Sequence, residues 1–155
     1  MRLNTVKKPR DGSTTWCGPG ALSIITGRTV KYCAKLCAEA AGWNRYTKRP
    51  HTAKTIKGVY HEEMKSALNK MGFTMTPALL IGRDERYNRK TLRAYMAGRG
   101  GPEWKAVMLV CAGNHYVVIN RDTVSDNQET AHYSKHKNRL KRIHYAWIIE
   151  RKKVS

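Results

Sequence analysis

The run KAVMLVCAGNHYVVINRDTVSD, residues 105–126, decides the fold. Its opening, Lys105–Ala112, is continuously apolar after the lysine, as a strand buried on both faces would be. Gly113-Asn114 makes a turn, and the β-branched stretch His115–Asn120 is a second strand. Asn120-Arg121-Asp122 is a tight reversal, from which Thr123–Asp126 starts a return strand. Strands joined by such short turns run antiparallel. Downstream, Asn127–Arg142 is polar and reads as a long loop, and Ile143–Glu150 is a final strand.

Upstream the period becomes helical. Val30, Cys33, Ala34, Cys37 and Ala41 form one stripe of a helix over Val30–Ala41, ended by Gly42. A helix over Tyr60–Met71 turns Met64, Leu68 and Met71 inward and stops at Gly72. A short one over Asn88–Ala97 presents Leu92, Tyr95 and Met96 and closes at Gly98. Trp43–Gly58, basic and with Pro50, reads as a loop. Phe73–Ile81 is a short extended segment that Pro77 bars from the centre of a sheet. Near the N-terminus the turn cluster Asp11–Thr15 leads into Trp16-Cys17-Gly18-Pro19-Gly20 and then Ala21–Ile25. Thr14 or Thr15 caps this helix, Cys17 falls in its first turn where Pro19 is tolerated, and the helix stops near Gly27. Helices first and strands second make an α+β protein, with N-terminal helices packed on a C-terminal antiparallel sheet. A length of 155 residues suits one domain, 1–155, with residues 1–11 loose.

Thirty Lys and Arg against eleven Asp and Glu give a net charge of +19. Such an excess draws nucleic acid or acidic protein without regard to sequence. The cations are spread over Lys7–Arg10, Lys48–Lys57, Arg83–Arg93 and Lys135–Arg142, so no single tail carries them. Lys135, Lys137, Arg139, Lys141 and Arg142 form the densest tract, a solvated loop and the first candidate for phosphate contacts. No run reaches the ~20 apolar residues of a membrane span, and Met1–Asp11 lacks an apolar secretory core. A cytoplasmic protein with reduced thiols is expected. Cys17, Cys33, Cys37 and Cys111 match no zinc spacing, and neither a metal nor a cofactor is expected. Cys33 and Cys37, four apart on a helix, read as small buried residues.

A thiol nucleophile needs a lowered pKa, a base within reach and a group to orient the base. Cys17, after a turn and before an apolar helix, has the helix N-terminus to stabilise its thiolate. Gly18 lets a substrate carbonyl approach the backbone, whose N–H groups form half of an oxyanion hole. His115 opens a strand, so its side chain stands near a sheet end. With a turn centred near Arg121, Asp126 faces it across the two strands, which suits an imidazole–carboxylate pair. Asn120 and Asp122 lie in or beside the turn and rank lower.

Trp16-Cys17-Gly18-Pro19 opening a helix, then Gly113–Val118 led by His115, then Val124-Ser125-Asp126-Asn127, resembles the papain-like cysteine peptidase superfamily. In style it is similar to the compact bacteriocin-leader-processing peptidases and to short phage-encoded proteins of that fold. The resemblance spans about Thr14–Trp147, the central helices matching in type and order only. It implies hydrolysis of a peptide or isopeptide bond, or a related acyl transfer, by Cys17, His115 and Asp126. A phage origin would place the protein in the host cytoplasm or the virion. Such peptidases usually carry a Gln about six residues before the cysteine to complete the oxyanion hole. Here Asp11 holds that place, leaving Ser13, Thr14 or Asn4 as substitutes. The departure keeps a second reading open, in which an inactive or weak enzyme binds nucleic acid or a host factor through its basic surface. Trp16 is assigned to the cleft and Trp147 to the core. His132, His136 and His144 read as surface histidines, His51 and His61 as plain loop and helix positions, and Glu62-Glu63 as dipole-favouring residues.

Overall fold

The structure is a computed structural model that describes residues 3–5, 16–56, 58–80 and 89–153. Three helices come first: α1 (Cys17–Thr26), α2 (Val30–Ala41) and α3 (His61–Lys70). The Thr29 hydroxyl caps α2 by accepting the Tyr32 N–H, and Gly42 closes it with φ +72°. Trp16, not Thr14 or Thr15, holds the cap position of α1, with no side-chain cap bond. Those two threonines and Asp11 lie outside the described residues.

Between α2 and α3 the expected loop carries a hairpin, β1 (Trp43–Asn44) and β2 (Arg49–Pro50). Asn44 builds its turn: the side-chain oxygen accepts the Tyr46 N–H at 3.0 Å and the carbonyl accepts the Lys48 N–H at 2.8 Å. Strands of two residues leave no period to read, and the asparagine is the only local sign.

The sheet comprises β3 (Phe73–Leu80), β4 (Val107–Ala112), β5 (His115–Asn120), β6 (Thr123–Ser125), β7 (Thr130–His132) and β8 (Ile143–Arg151). Its order is β3-β8-β4-β5-β6-β7, and every pairing is antiparallel. β3 is an edge strand, as Pro77 requires, and its pairing shifts register between Pro77 and Leu79. β7 lies inside the segment expected to be all loop, and at three residues it too is short for a pattern. Between β3 and β4 stand α4 (Leu92–Gly98) and α5 (Gly101–Lys105). Thr91 caps α4, so that helix begins later than its stripe suggested. Gly101-Pro102 opens the unanticipated α5, a single turn.

β4 explains its own sequence. Val107 and Leu109 face a core shared with α1, α2 and α3, whereas Met108, Val110 and Ala112 face a second core closed by Leu92 and Met96 of α4. A strand covered on both sides has no polar face, hence the unbroken apolar run. Cys33 and Cys37 are buried in the first core, where burial pushes their thiols up to about 11 and about 12. Among the described residues no helix is long and apolar enough to cross a membrane.

Candidate active site

Cys17 is the first residue of α1. The opening N–H groups of a helix have no acceptor a turn earlier, and the dipole adds positive potential there. Two glycines let this turn sit deep. A methyl group on Gly20 would lie 2.7 Å from Asn127 Cβ, and one on Gly18 would lie 3.1 Å from Val59. The first turn of α1 is thus wedged against the segment after β6. Gly20→Ala should destabilise the fold by about 1–3 kcal/mol through overpacking, read as a drop in the urea midpoint.

His115 is delivered by a two-residue loop. Gly113 and Asn114 both have positive φ, +57° and +62°, and the loop sets His115 opposite Ala112. Its Nε2 lies 2.9 Å from Asp126 Oδ2. The pairing differs from the sequence expectation. The β5–β6 partners are Val118–Ser125, Ile119–Val124 and Asn120–Thr123, so the loop is Arg121-Asp122 and continued register would set Asp126 against Val117. His115 is its diagonal neighbour, still within reach of a long side chain.

Asp126 is held on every side. Its Oδ1 accepts the N–H groups of Gln128 and Glu129, both at 2.8 Å, and its Oδ2 accepts the Asn138 side-chain amide at 2.9 Å as well as His115. Its side chain is fully buried. Burial disfavours the carboxylate, but the bonds from His115, Glu129 and Gln128 and the nearby His136 outweigh it and hold the carboxyl well below its usual range. His136 is fully buried, contrary to its reading as a surface residue. Its Nδ1 accepts the Asn138 N–H, so the ring proton sits on Nε2, 3.6 Å from both Asp126 Oδ2 and Glu129 Oε1. Burial keeps its pKa low. Asn138 and His136 were illegible in the sequence because they come from a loop twelve and ten residues beyond Asp126, amid basic side chains, with no spacing to mark them.

With Nε2 on Asp126, the other nitrogen of His115 is left for the thiol, and the imidazole is the largest influence lowering the Cys17 pKa. The Asp126 and Cys17 bonds raise His115 to about 9 against the opposing effect of burial. Burial also opposes the Cys17 thiolate, but the bonds from His115 and the Tyr116 backbone, the imidazolium charge and the Gly18 backbone together bring that thiol below its ordinary value. Both shifts favour the thiolate–imidazolium form of the pair. Cys111 lines the same cavity without an imidazole, and burial pushes it up to about 11.

A cavity of about 340 Å³ opens beside the sulfur, lined by Val59, His61, Asn114 and Tyr116 and by the stacked rings of Tyr145 and Trp147. His61 stacks on Trp147 at 5.6 Å between centroids, a wall position that its place on α3 did not betray. Trp147 is in the core as expected while also facing the cavity. Half-exposed Trp16 and buried Gly18 are not among the described lining residues. Asn4 cannot serve the thiol. Its amide bonds the Ile24 carbonyl toward the far end of α1, about 10 Å along the helix from Cys17.

The basic tract braces the structure. The Arg139 guanidinium bonds the His136 carbonyl, Arg142 bonds the Arg89 carbonyl, and the carbonyls of Arg139 and Lys141 receive the Arg93 and Leu92 N–H groups of α4. Lys135, Lys137 and Lys141 remain exposed. Among the described residues no group of three or more His, Cys, Asp or Glu is placed to hold a metal ion. Neither the protein-family models nor the curated proteins include a match to this chain.

Proposed function

We propose that the chain is a papain-like thiol hydrolase acting on a peptide, isopeptide or related acyl bond. The observation that carries this reading is the continuous line from the thiol of Cys17 through the His115 imidazole to the buried, four-fold bonded carboxylate of Asp126. The thiolate attacks the carbonyl carbon of a substrate seated in the adjoining cavity. His115 gives its proton to the leaving amine, and the resulting thioester is hydrolysed by water that His115 then deprotonates. The N–H groups at the start of α1 are available to the oxyanion. Asp126 fixes the ring and stabilises its protonated form.

The test is the pH profile of Cys17 alkylation by iodoacetamide, followed by peptide mass spectrometry. Cys17 should titrate below the ordinary value of about 8.5, while Cys111 in the same cavity stays unreactive until far higher pH. A Cys17 that titrates like a free thiol would sink the proposal. Turnover, which needs the protonated imidazole for the leaving group, should fall as pH rises through about 9.

A further inference from the structure

We infer that the β1–β2 hairpin and the hollow beneath it form a binding surface for single-stranded nucleic acid, which adjoins the thiol cavity at Gly58 and Tyr60. Three aromatic rings there are left in solvent although they are large enough to anchor a core: Trp43 is 63% exposed, Tyr46 85% and Tyr60 74%. All three line one hollow of about 510 Å³, together with Arg45 and His51. The hairpin that carries two of them is well built. Asn44 ties its turn, and the His51 N–H bonds the Gly42 carbonyl at 2.7 Å, so the rings project from a fixed frame.

The charge on the hairpin and the segment that follows it is of one sign. Between Trp43 and Gly58 the sequence has Arg45, Lys48, Arg49, Lys54 and Lys57 and no acidic residue. Arg45, Lys48, Arg49 and Lys54 are exposed, and the Arg45 guanidinium lies over the Tyr46 ring at 5.4 Å. Glu63 is the acid on the hollow's lining, and its carboxylate already accepts the Tyr60 N–H at 2.7 Å. Exposed rings interleaved with cations are what unpaired bases require, faces to stack on and charges for the phosphates. A duplex hides its base faces and would use the cations alone. The 135–142 tract suits this role less, because Arg139 and Arg142 are tied to carbonyls and the loop itself holds Asp126.

The experiment is fluorescence anisotropy of a labelled oligodeoxythymidylate of about twelve nucleotides, titrated with the full chain across a salt series. Four phosphate contacts give a slope of log affinity against log salt near about −3, at about 0.7 per contact. Trp43→Ala and Tyr46→Ala should each weaken binding about tenfold with the slope unchanged, and Trp43→Phe should restore most of the loss. Lys48→Gln combined with Arg49→Gln should flatten the slope by about 1.4, and Lys135→Gln with Lys137→Gln should cost far less. Ring variants that bind like wild type, or equal losses at the hairpin and at Lys135 and Lys137, would reduce the binding to net charge and overturn the assignment. So would an absence of oligonucleotide binding at low salt in a protein whose Trp43→Ala variant acylates Cys17 more slowly with a peptide ester, since the hollow would then belong to a peptide.

Discussion

Replacing His115 with Ala should slow the modification of Cys17 by iodoacetamide at pH 7 about a hundredfold. In the wild type, the histidine bond and charge together with the Tyr116 and Gly18 backbone groups outweigh burial and shift the sulfur toward its ionised form. Without the imidazole the strongest of these is gone and burial is opposed by backbone groups alone. A thiol at the ordinary value of about 8.5 is a few per cent ionised at pH 7. Burial takes it further, and Cys111 shows how far, since the same cavity holds it at about 11. On the proposed mechanism, hydrolysis should fall by more than alkylation, because the histidine would also move the proton to the leaving group, a contribution of about 10²–10⁴. Equal alkylation rates in the two proteins would mean that the thiol and the ring are neighbours without being a pair.

Asp126→Ala should be the most damaging single change to stability, about 3–5 kcal/mol. It strips the acceptor from His115, from the Asn138 amide and from the N–H groups of Gln128 and Glu129, all at a fully buried position. The pH dependence separates this cause from lost packing. The His115 pKa is raised by folding, so its contribution is full below its unfolded value of about 6.5 and is lost as pH rises through about 9. The Asp126 pKa is lowered, so its contribution is present above about 3.9 and is lost as pH falls toward the folded value. Urea midpoints of the wild type should therefore decline on both flanks of the neutral range, and those of Asp126→Ala should be flatter. Asp126→Asn keeps the shape and should recover much of the stability but not the raised His115 pKa, measurable by the ring-proton shifts.

Much of this was legible in the residues, and the exceptions share a cause. α2 matches its expected range residue for residue because Thr29 caps it, Gly42 stops it and the stripe between them is unbroken. β4 and β5 were readable for a similar reason: their apolar and β-branched residues are bounded by a glycine turn. β1, β2, β7 and α5 are two to five residues long, too short for any period to accumulate. At the site, Cys17 and His115 were marked by the elements that they begin. Asp126 was named through a register two residues off, and the contact survives because the chain leaves β6 at Ser125 and curls into a turn closed by its own carboxylate. Asn138 and His136 reach it from a connection with no regular structure, where only the folded chain shows which polar residues turn inward.

The two margins of the sheet bear on how a partner chain can be held. One is β3, with Pro77 lacking a donor and a register break just beyond it; the other is β7, three residues long. Neither offers the long, flat ladder of free N–H and C=O groups along which a foreign strand extends a sheet. A peptide substrate of the proposed hydrolase would therefore be gripped by side chains and ring faces and not by backbone addition.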